Sequence, residues 1–215
     1  MSITRHIFEK ELSELHQKII RMGIAVENAI GDAITALIDM DKSLAQKIID
    51  NDDVIDDMER EIEKMCIDLI AKQQPVARDL RDVTSALKLI TDLERIADHA
   101  SDISEKVLTL SKLHRVMIQH DLITMAQISK EMLKGALDSY VSRDVEKAKE
   151  TASRDDRVDS LFLKLKSDLI HMMSVDTKNT EQYVELLLIC KYFERIADHS
   201  QNISEWVIYL IKGDH

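Results

Sequence analysis

Carboxylates recur at one-turn spacing in two related stretches of this chain. Residues 94–105 read ERIADHASDISE, and residues 194–205 read ERIADHSQNISE. On a helix, at about 100° per residue, the acids of each stretch project along one ridge beside the apolar face. Oxygen ligands arranged one turn apart suit a hard metal cation. The candidate metal ligands are therefore Glu94, Asp98, Asp102, Glu194 and Asp198.

Like charges at this spacing repel by about a few tenths of a kcal/mol per pair, so something should offset the repulsion. One interpretation is a cation completed by acids of a neighbouring helix. Those acids are Asp52, Asp53 or Asp56 for the first ridge and Asp155, Asp156 or Asp159 for the second. The other interpretation is a solvated acidic face, partly neutralised by Arg95, Arg195 and nearby lysines. Asn202 stands where the first stretch has Asp102, which removes one charge from the second ridge.

Four further side chains invite a chemical interpretation. His99 and His199 each follow an aspartate, but both point away from the ridge centre, which predicts half-exposed histidines with ordinary partners. Cys66 and Cys190 lie in apolar helical stretches at non-equivalent positions of the two halves. That placement indicates two buried, reduced thiols rather than a disulfide or metal framework.

The two acidic stretches belong to a longer internal repeat. They match at an offset of 100 residues, and Asp41 and the Asp52-Asp53 pair recur at an offset of 103, as Asp144 and Asp155-Asp156. A period of about a hundred residues is too long for a solenoid unit. The sequence predicts a duplicated domain, with a first unit at 1–114 and a second at 115–215.

The elements that carry the ridges are helices. The chain has only four glycines and one proline in 215 residues, and each half holds three apolar patterns at helical spacing. The second pattern ends at Gln74-Pro75, and the second half predicts helices near 117–141, 144–173 and 178–212. Helices of about 25–35 residues suit elongated bundles. The predicted fold is all-α, two tandem repeated three-helix bundles with long antiparallel helices.

The net charge of −11 limits the kinds of partner that the chain is expected to bind. Nucleic acids and anionic lipids bind through lysine and arginine, so neither is an expected partner. No apolar run approaches 18 residues and the first ten residues lack an apolar signal core. We therefore expect a cytoplasmic chain without membrane insertion.

Enzyme signatures are scarce. The sequence lacks a phosphate-binding glycine loop, a nucleophile elbow and a His-Glu-x-x-His zinc motif. Di-metal oxidases of helical bundles need Glu-x-x-His, which is also missing. The chain is therefore not expected to be an enzyme. Two alternatives to a binding protein stay open: a metal-dependent enzyme or metal store using the ridges, and a structural helical scaffold that binds nothing.

Four stretches together resemble the PhoU family. TDLERIADHASDISE (91–105) and YFERIADHSQNISEW (192–206) are similar to its doubled signature. The stretches at 73–100 and 52–77 extend the likeness, which covers nearly the whole chain in the right order.

The resemblance implies properties that spacing alone does not. It implies two three-helix bundles and a cytoplasmic negative regulator that links the ATPase subunit of a phosphate ABC transporter to a sensor histidine kinase. It also implies a homodimer, and multinuclear iron, zinc or nickel clusters on a Glu/Asp-x-x-x-Asp motif in each repeat. That motif matches Glu94 to Asp98 and Glu194 to Asp198, while Asn202 makes the second cluster smaller, weaker or absent.

Overall fold

The structure is a computed structural model that describes residues 3–113 and 117–213, with side chains described from residue 5 onwards. Within these ranges there are helices and no strand. The helices are α1 (Ile3–Asp39), α2 (Lys42–Asp50), α3 (Asp52–Gln73), α4 (Arg78–Leu110), α5 (His120–Ser142), α6 (Val145–Ala152), α7 (Asp155–Val175) and α8 (Thr180–Lys212). A single 3₁₀ turn, Thr177–Asn179, precedes α8.

Two aspartates begin equivalent short helices in the two repeats. Asp41 accepts hydrogen bonds from the backbone N–H groups of Ser43 and Leu44 at 2.9 and 3.0 Å. Asp144 does the same for Glu146 and Lys147 at 3.0 and 3.1 Å. A carboxylate at this position satisfies N–H groups that lack a partner inside the helix. The matched spacing of Asp41 and Asp144 therefore reflects a shared local structure.

The predicted single helix at 144–173 is wrong. The structure divides it into α6 and α7 at Ser153 and Arg154, and the first repeat has the same break between α2 and α3 at Asn51. The backbone N–H of Ser153 donates to the carbonyl oxygen of Lys149. The backbone N–H of Arg154 donates to the carbonyl oxygen of Thr151, and this i→i−3 bond tightens the last turn. Such a tight last turn ends one helix and re-aims the next.

Each repeat is a bundle of three long helices. In the first repeat α1, α3 and α4 surround a continuous apolar core, and α5, α7 and α8 do so in the second. The repeats join mainly where α4 packs along α8, and α1 also packs on α5. The all-α fold of two repeated three-helix bundles is thus confirmed. The boundary between units, placed at 114 and 115, lies outside the described residues and stays a prediction.

Two properties of the bundles bear on function. Cys66 and Cys190 are buried, and neither forms a disulfide. Burial raises the pKa of both thiols to about 12, which leaves them unreactive at neutral pH.

Over the described ranges, no helix is both long and apolar enough to cross a bilayer.

Candidate metal-binding ridges

The first ridge forms a cluster of three carboxylates. Glu94 and Asp98 stand one turn apart on α4, and Asp56 reaches them from α3, which packs alongside. One oxygen of each group lies within 4.8 Å of one oxygen of the other two. All three side chains are partly buried, and oxygen atoms at this spacing can share a hard cation.

The pKa values of the first cluster show how much negative charge it concentrates. Burial, followed by the charge of Asp98, raises the pKa of Glu94 to about 7. Burial and the charges of Asp98 and Asp56 raise the pKa of Asp52 to about 6. Burial also raises the pKa of Asp98 itself. Because each carboxylate disfavours ionisation of the others, a bound cation would relieve the cluster.

Arg95 supplies part of that relief from the solvent side. Its Nε lies 3.4 Å from Glu94 Oε2, and its Nη1 lies 3.1 Å from Asp98 Oδ2. The side chain is 55% exposed, so water screens this pairing and its stabilising effect is small. This contact supports the solvated-face interpretation. The pKa values of Glu94 and Asp98 nevertheless stay raised in the presence of Arg95.

The second ridge has an unsatisfied carboxylate. Burial, then the charges of Asp198 and Asp159, raises the pKa of Asp155 to about 6. The Oδ1 atom of Asp155 is buried and has no hydrogen-bond partner within the part of the chain that the structure describes. A buried oxygen without a donor is costly, and a cation would satisfy it. Among the described residues, however, only the first ridge brings three carboxylate oxygens within 4.8 Å of one another, so a metal at the second ridge is supported by this single oxygen of Asp155.

Lys191 distinguishes the second ridge from the first. Its ammonium group donates to both carboxylate oxygens of Glu194, which is 9% exposed. The first repeat has Thr91 at the equivalent position, so Glu94 has no such lysine. Glu194 is accordingly held by a cation of the chain itself.

Asp102 and Asn202 lie off the clusters. Asp102 Oδ2 is 3.2 Å from His99 Nδ1, and Asn202 Nδ2 donates to Asp92 Oδ1 at 3.3 Å. The structure therefore brings Glu94 and Asp98 together with Asp56 but turns Asp102 towards a histidine. Asn202 takes part in the contact between the two repeats, and its effect on a second cluster stays a prediction.

The two histidines differ from each other. His99 is 6% exposed, so the expectation of a half-exposed side chain is wrong for it. It lies between α4 and α8, stacked on Tyr192 at 5.6 Å between ring centroids, and burial lowers its pKa. His199 is half-buried as expected, and its Nδ1 lies 2.8 Å from Asp92 Oδ1. The α4–α8 contact, invisible to a single-helix wheel, causes the difference.

Sequence reasoning missed Asp92 and Lys191. Both have a signal in the repeat alignment, because positions 91 and 92 (Thr, Asp) differ from positions 191 and 192 (Lys, Tyr) just before an almost identical stretch. A difference at such a boundary marks where the two copies have different partners. Asp92 bonds α8, and Lys191 bonds the ridge glutamate of its own helix.

Fold and ridges define a class: a duplicated helical-bundle protein with an acidic ridge in each repeat. A sequence model of the PhoU domain matches residues 19–107 and 122–207. The chain belongs to the PhoU family.

Relatives and solved structures match this chain over almost its full length. The phosphate-specific transport system accessory protein PhoU homolog of Clostridium acetobutylicum is 44% identical, with 98% of this chain and 97% of that protein covered. The crystal structure of PhoU from Pseudomonas aeruginosa matches with a TM-score of 0.94 at 33% identity, covering 96% of this chain and 100% of the other. The phosphate transport system regulatory protein PhoU from Streptococcus pneumoniae matches with a TM-score of 0.88 at 32% identity, covering 96% and 98%.

Membership of the PhoU family indicates the broad functional class of this chain. The family consists of accessory regulatory proteins of phosphate transport and is not a family of enzymes, which agrees with the expectation from the motifs. The interpretation as a regulator therefore holds at this level.

Proposed function

We propose that this chain is a cytoplasmic negative regulator of phosphate uptake and of the phosphate response. In this proposal it links the ATPase subunit of a phosphate ABC transporter to a sensor histidine kinase. The observation that carries the proposal is the likeness over 98% of the chain to a protein named as an accessory of phosphate-specific transport. When phosphate is plentiful, the docked protein holds the kinase in its phosphatase-biased state.

The charge of the chain supports docking on basic protein surfaces. A net charge of −11 repels nucleic acid and attracts positively charged patches, which speeds encounter with a matching partner. Both bundles are long, and their exposed faces offer room for two partners or for a second copy of the chain. We include a homodimer in the proposal, to be measured by light scattering on a size-exclusion column.

The test is deletion of the gene with a phosphate-response reporter. We expect the reporter to stay on in phosphate-rich medium in the deletion strain and to be repressed again by the wild-type gene supplied in trans. Unchanged reporter output in the deletion strain would contradict the proposal. Binding of the purified chain to the transporter ATPase and to the kinase, at low and at high salt, identifies which partner it contacts.

We further propose that each ridge holds a metal cluster of iron, zinc or nickel. The first would be held by Asp52, Asp56, Glu94 and Asp98, and the second by Asp155, Asp159, Glu194 and Asp198. The support is the 4.8 Å grouping of the first ridge and the buried, unpartnered Asp155 oxygen of the second, judged among the described residues. When bound, the metal would supply positive charge that ties the middle helix of each bundle to its third helix.

A further inference from the structure

Four large aliphatic side chains are exposed on neighbouring helices of the second repeat. They are between 37% and 64% exposed and together form what we call the α7–α8 face: Leu163, Ile170, Val184 and Leu188. Single exposed aliphatic residues are ordinary on a protein surface. Four of them on two adjoining helices form a continuous apolar patch, which is typical of an interaction site.

Two contacts fix how α7 and α8 lie against each other. Lys191 Nζ is 5.3 Å from the centre of the Phe162 ring, and the Tyr183 hydroxyl donates to Asp176 Oδ2 at 2.9 Å. The helices are therefore antiparallel, and Ile170 lies opposite the stretch of α8 between these two contacts. That stretch carries Val184 and Leu188, so the four side chains belong to one surface.

The first repeat has a charged and polar surface at the equivalent place. The offset is 103 residues for α7 and 100 for α8, and the equivalents of Leu163, Val184 and Leu188 are Arg60, Thr84 and Lys88. Of the four positions, Ile170 alone has an apolar equivalent, Ile67. The apolar face is thus a property of the second repeat and is not required by the three-helix bundle.

The α7 part of the face has the spacing of a helix-packing seam. Leu163 and Ile170 are seven residues apart, which is two turns and about 10.5 Å along the helix. Three exposed serines lie on the same stripe: Ser160, Ser167 and Ser174. Large and small side chains that alternate at this spacing accommodate the apolar stripe of an amphipathic helix. The first repeat has Asp57 and Lys64 in place of the first two serines.

Two lysines flank this stripe. At about 100° per residue, Lys164 and Lys166 project to opposite sides of Leu163. Lys164 Nζ lies 2.6 Å from Asp121 Oδ2 in an exposed pair, and Lys166 has no ion pair within the part of the chain that the structure describes. The first-repeat equivalents of the two lysines are glutamates, Glu61 and Glu63, so the charge at both positions is reversed between the repeats.

The acids near the face lie at its ends or turn away from it. Asp159 and Glu181 are each one turn before the first apolar residue of the face on their helix. Asp168 projects away from the stripe, on the α5 side of α7. Glu185 is directed towards Lys106 of α4, at 3.8 Å. The middle of the face is therefore apolar with positive flanks, and such a surface is complementary to an apolar stripe flanked by carboxylates.

We propose that the α7–α8 face docks an amphipathic helix of a partner protein, with leucine-like side chains along one stripe and carboxylates on both sides of it. The apolar side chains of that helix pack on Leu163 and Ile170, and its carboxylates pair with Lys164 and Lys166. A second copy of this chain is a poorer occupant. Two such faces related by a twofold axis would bring the lysine flanks of one chain against those of the other.

The test uses two fluorescent peptides and the full chain. One peptide has about three heptads, with leucine at the two seam positions and glutamate beside them. The other is its scrambled isomer, which has the same composition and charge. We expect the amphipathic peptide to bind at least about tenfold more tightly than the isomer in fluorescence anisotropy titrations. Equal affinities of the two peptides would overturn the proposal.

Variants locate the binding on the α7–α8 face. Leu163→Arg/Leu188→Lys copies the first repeat at two exposed positions, and we expect it to lower the affinity of the amphipathic peptide at least about tenfold. Ile24→Arg/Ile38→Lys adds the same charges at exposed positions of α1 and is the matched control, which should bind like wild type. Wild-type affinity in the first variant would contradict the assignment.

Two further measurements separate the charge of the flanks from other occupants. Lys164→Glu/Lys166→Glu should weaken the amphipathic peptide several-fold and make its binding less sensitive to salt, because the attraction of the flanks is lost. Unchanged affinity and salt dependence would contradict the role given to the lysines. Light scattering on the same variants tests the second copy. A dimer that is lost in Leu163→Arg/Leu188→Lys and kept in the α1 control, with no peptide binding by wild type, would assign the face to a second copy and overturn the proposal.

Discussion

Glu94 and Asp98 place carboxylate oxygens within 4.8 Å of each other on consecutive turns of α4. Because burial and the Asp98 charge raise the pKa of Glu94 to about 7, the pair can hold a proton at neutral pH. A metal ion bound at this pair would compete with the proton for the same oxygens, so its affinity would depend on pH.

Replacing Glu94 with glutamine should stabilise the metal-free protein more at high pH than at low pH. The pKa of Glu94 is about 7 in the folded chain against an ordinary 4.5, so folding favours the protonated form. In wild type, the contribution of Glu94 to the free energy of unfolding is therefore fully present below pH 4.5 and is lost as the pH rises through 7. The measurement is the difference in urea midpoint between Glu94→Gln and wild type at pH 5 and pH 8.

The comparison with wild type is needed because histidines act in the opposite direction. Burial lowers the pKa of His16 and His99, so their contribution is lost as the pH falls below 6.5. These histidines are present in both proteins and cancel in the difference. A difference that shrinks between pH 5 and pH 8 would contradict the assignment of the raised pKa to Glu94.

Replacing Lys191 with threonine, the residue of the first repeat, should strengthen cation binding to the second ridge. The change removes the ammonium group that holds both oxygens of buried Glu194. Metal-free protein should lose stability because the carboxylate is left unpaired, and added Ni²⁺ should raise its melting temperature more than that of wild type. Thr91→Lys is the reciprocal control and should reduce the Ni²⁺ effect. Equal Ni²⁺ shifts in all three proteins would contradict the role given to Lys191.

Replacing Asp92 with alanine should loosen the contact between the repeats. Asp92 Oδ1 lies 2.8 Å from His199 Nδ1 and accepts from Asn202 at 3.3 Å, with its side chain 13% exposed. Loss of these bonds should cost about 1–2 kcal/mol of unfolding free energy. Asp68→Ala, which removes an exposed i,i+4 pair with Lys72, should cost less than about 0.5 kcal/mol. If urea titrations gave the same loss of unfolding free energy for Asp92→Ala and Asp68→Ala, the bonds of Asp92 between the repeats would contribute no more than an exposed ion pair, which would contradict this prediction.

Gly135 tests the tight packing of the second repeat. A Cβ at this position would lie 2.5 Å from Thr151 Oγ1, and Thr151 is buried and β-branched. Overpacking of about 1–3 kcal/mol should exceed the helix-propensity gain of about 1 kcal/mol, so Gly135→Ala destabilises. In a Thr151→Ala background the same change should stabilise by about 0.5–1 kcal/mol, because the clash is gone. Destabilisation of equal size in both backgrounds would contradict this cause.

The helical fold and the capping aspartates could be predicted because helix periodicity and caps are local. The break between α6 and α7 was missed because the buried positions continue across it at helical spacing, from Ala148 and Thr151 to Val158. The acidic pair Asp155-Asp156 in the first turn of α7 is the sequence signal that marks it.

The ridges were predicted in part for the same reason. One-turn spacing is local, so Glu94 and Asp98 follow from the sequence, while the approach of Asp56 depends on the register of α3 against α4. The burial of His99 depends on the contact of α4 with α8, which a single helix does not encode. The resemblance identified the family, but the Lys191–Glu194 contact that distinguishes the two ridges was found only in the structure.

Elemental analysis of the purified chain tests most directly whether the two ridges are metal sites. The protein is prepared without chelator or affinity-tag metal, as wild type and as Asp98→Asn/Asp198→Asn. The account predicts iron, zinc or nickel at stoichiometric levels in wild type and its loss from a folded double variant. A metal-free wild type, or the same metal content in both proteins, would contradict it and leave the ridges as solvated acidic faces.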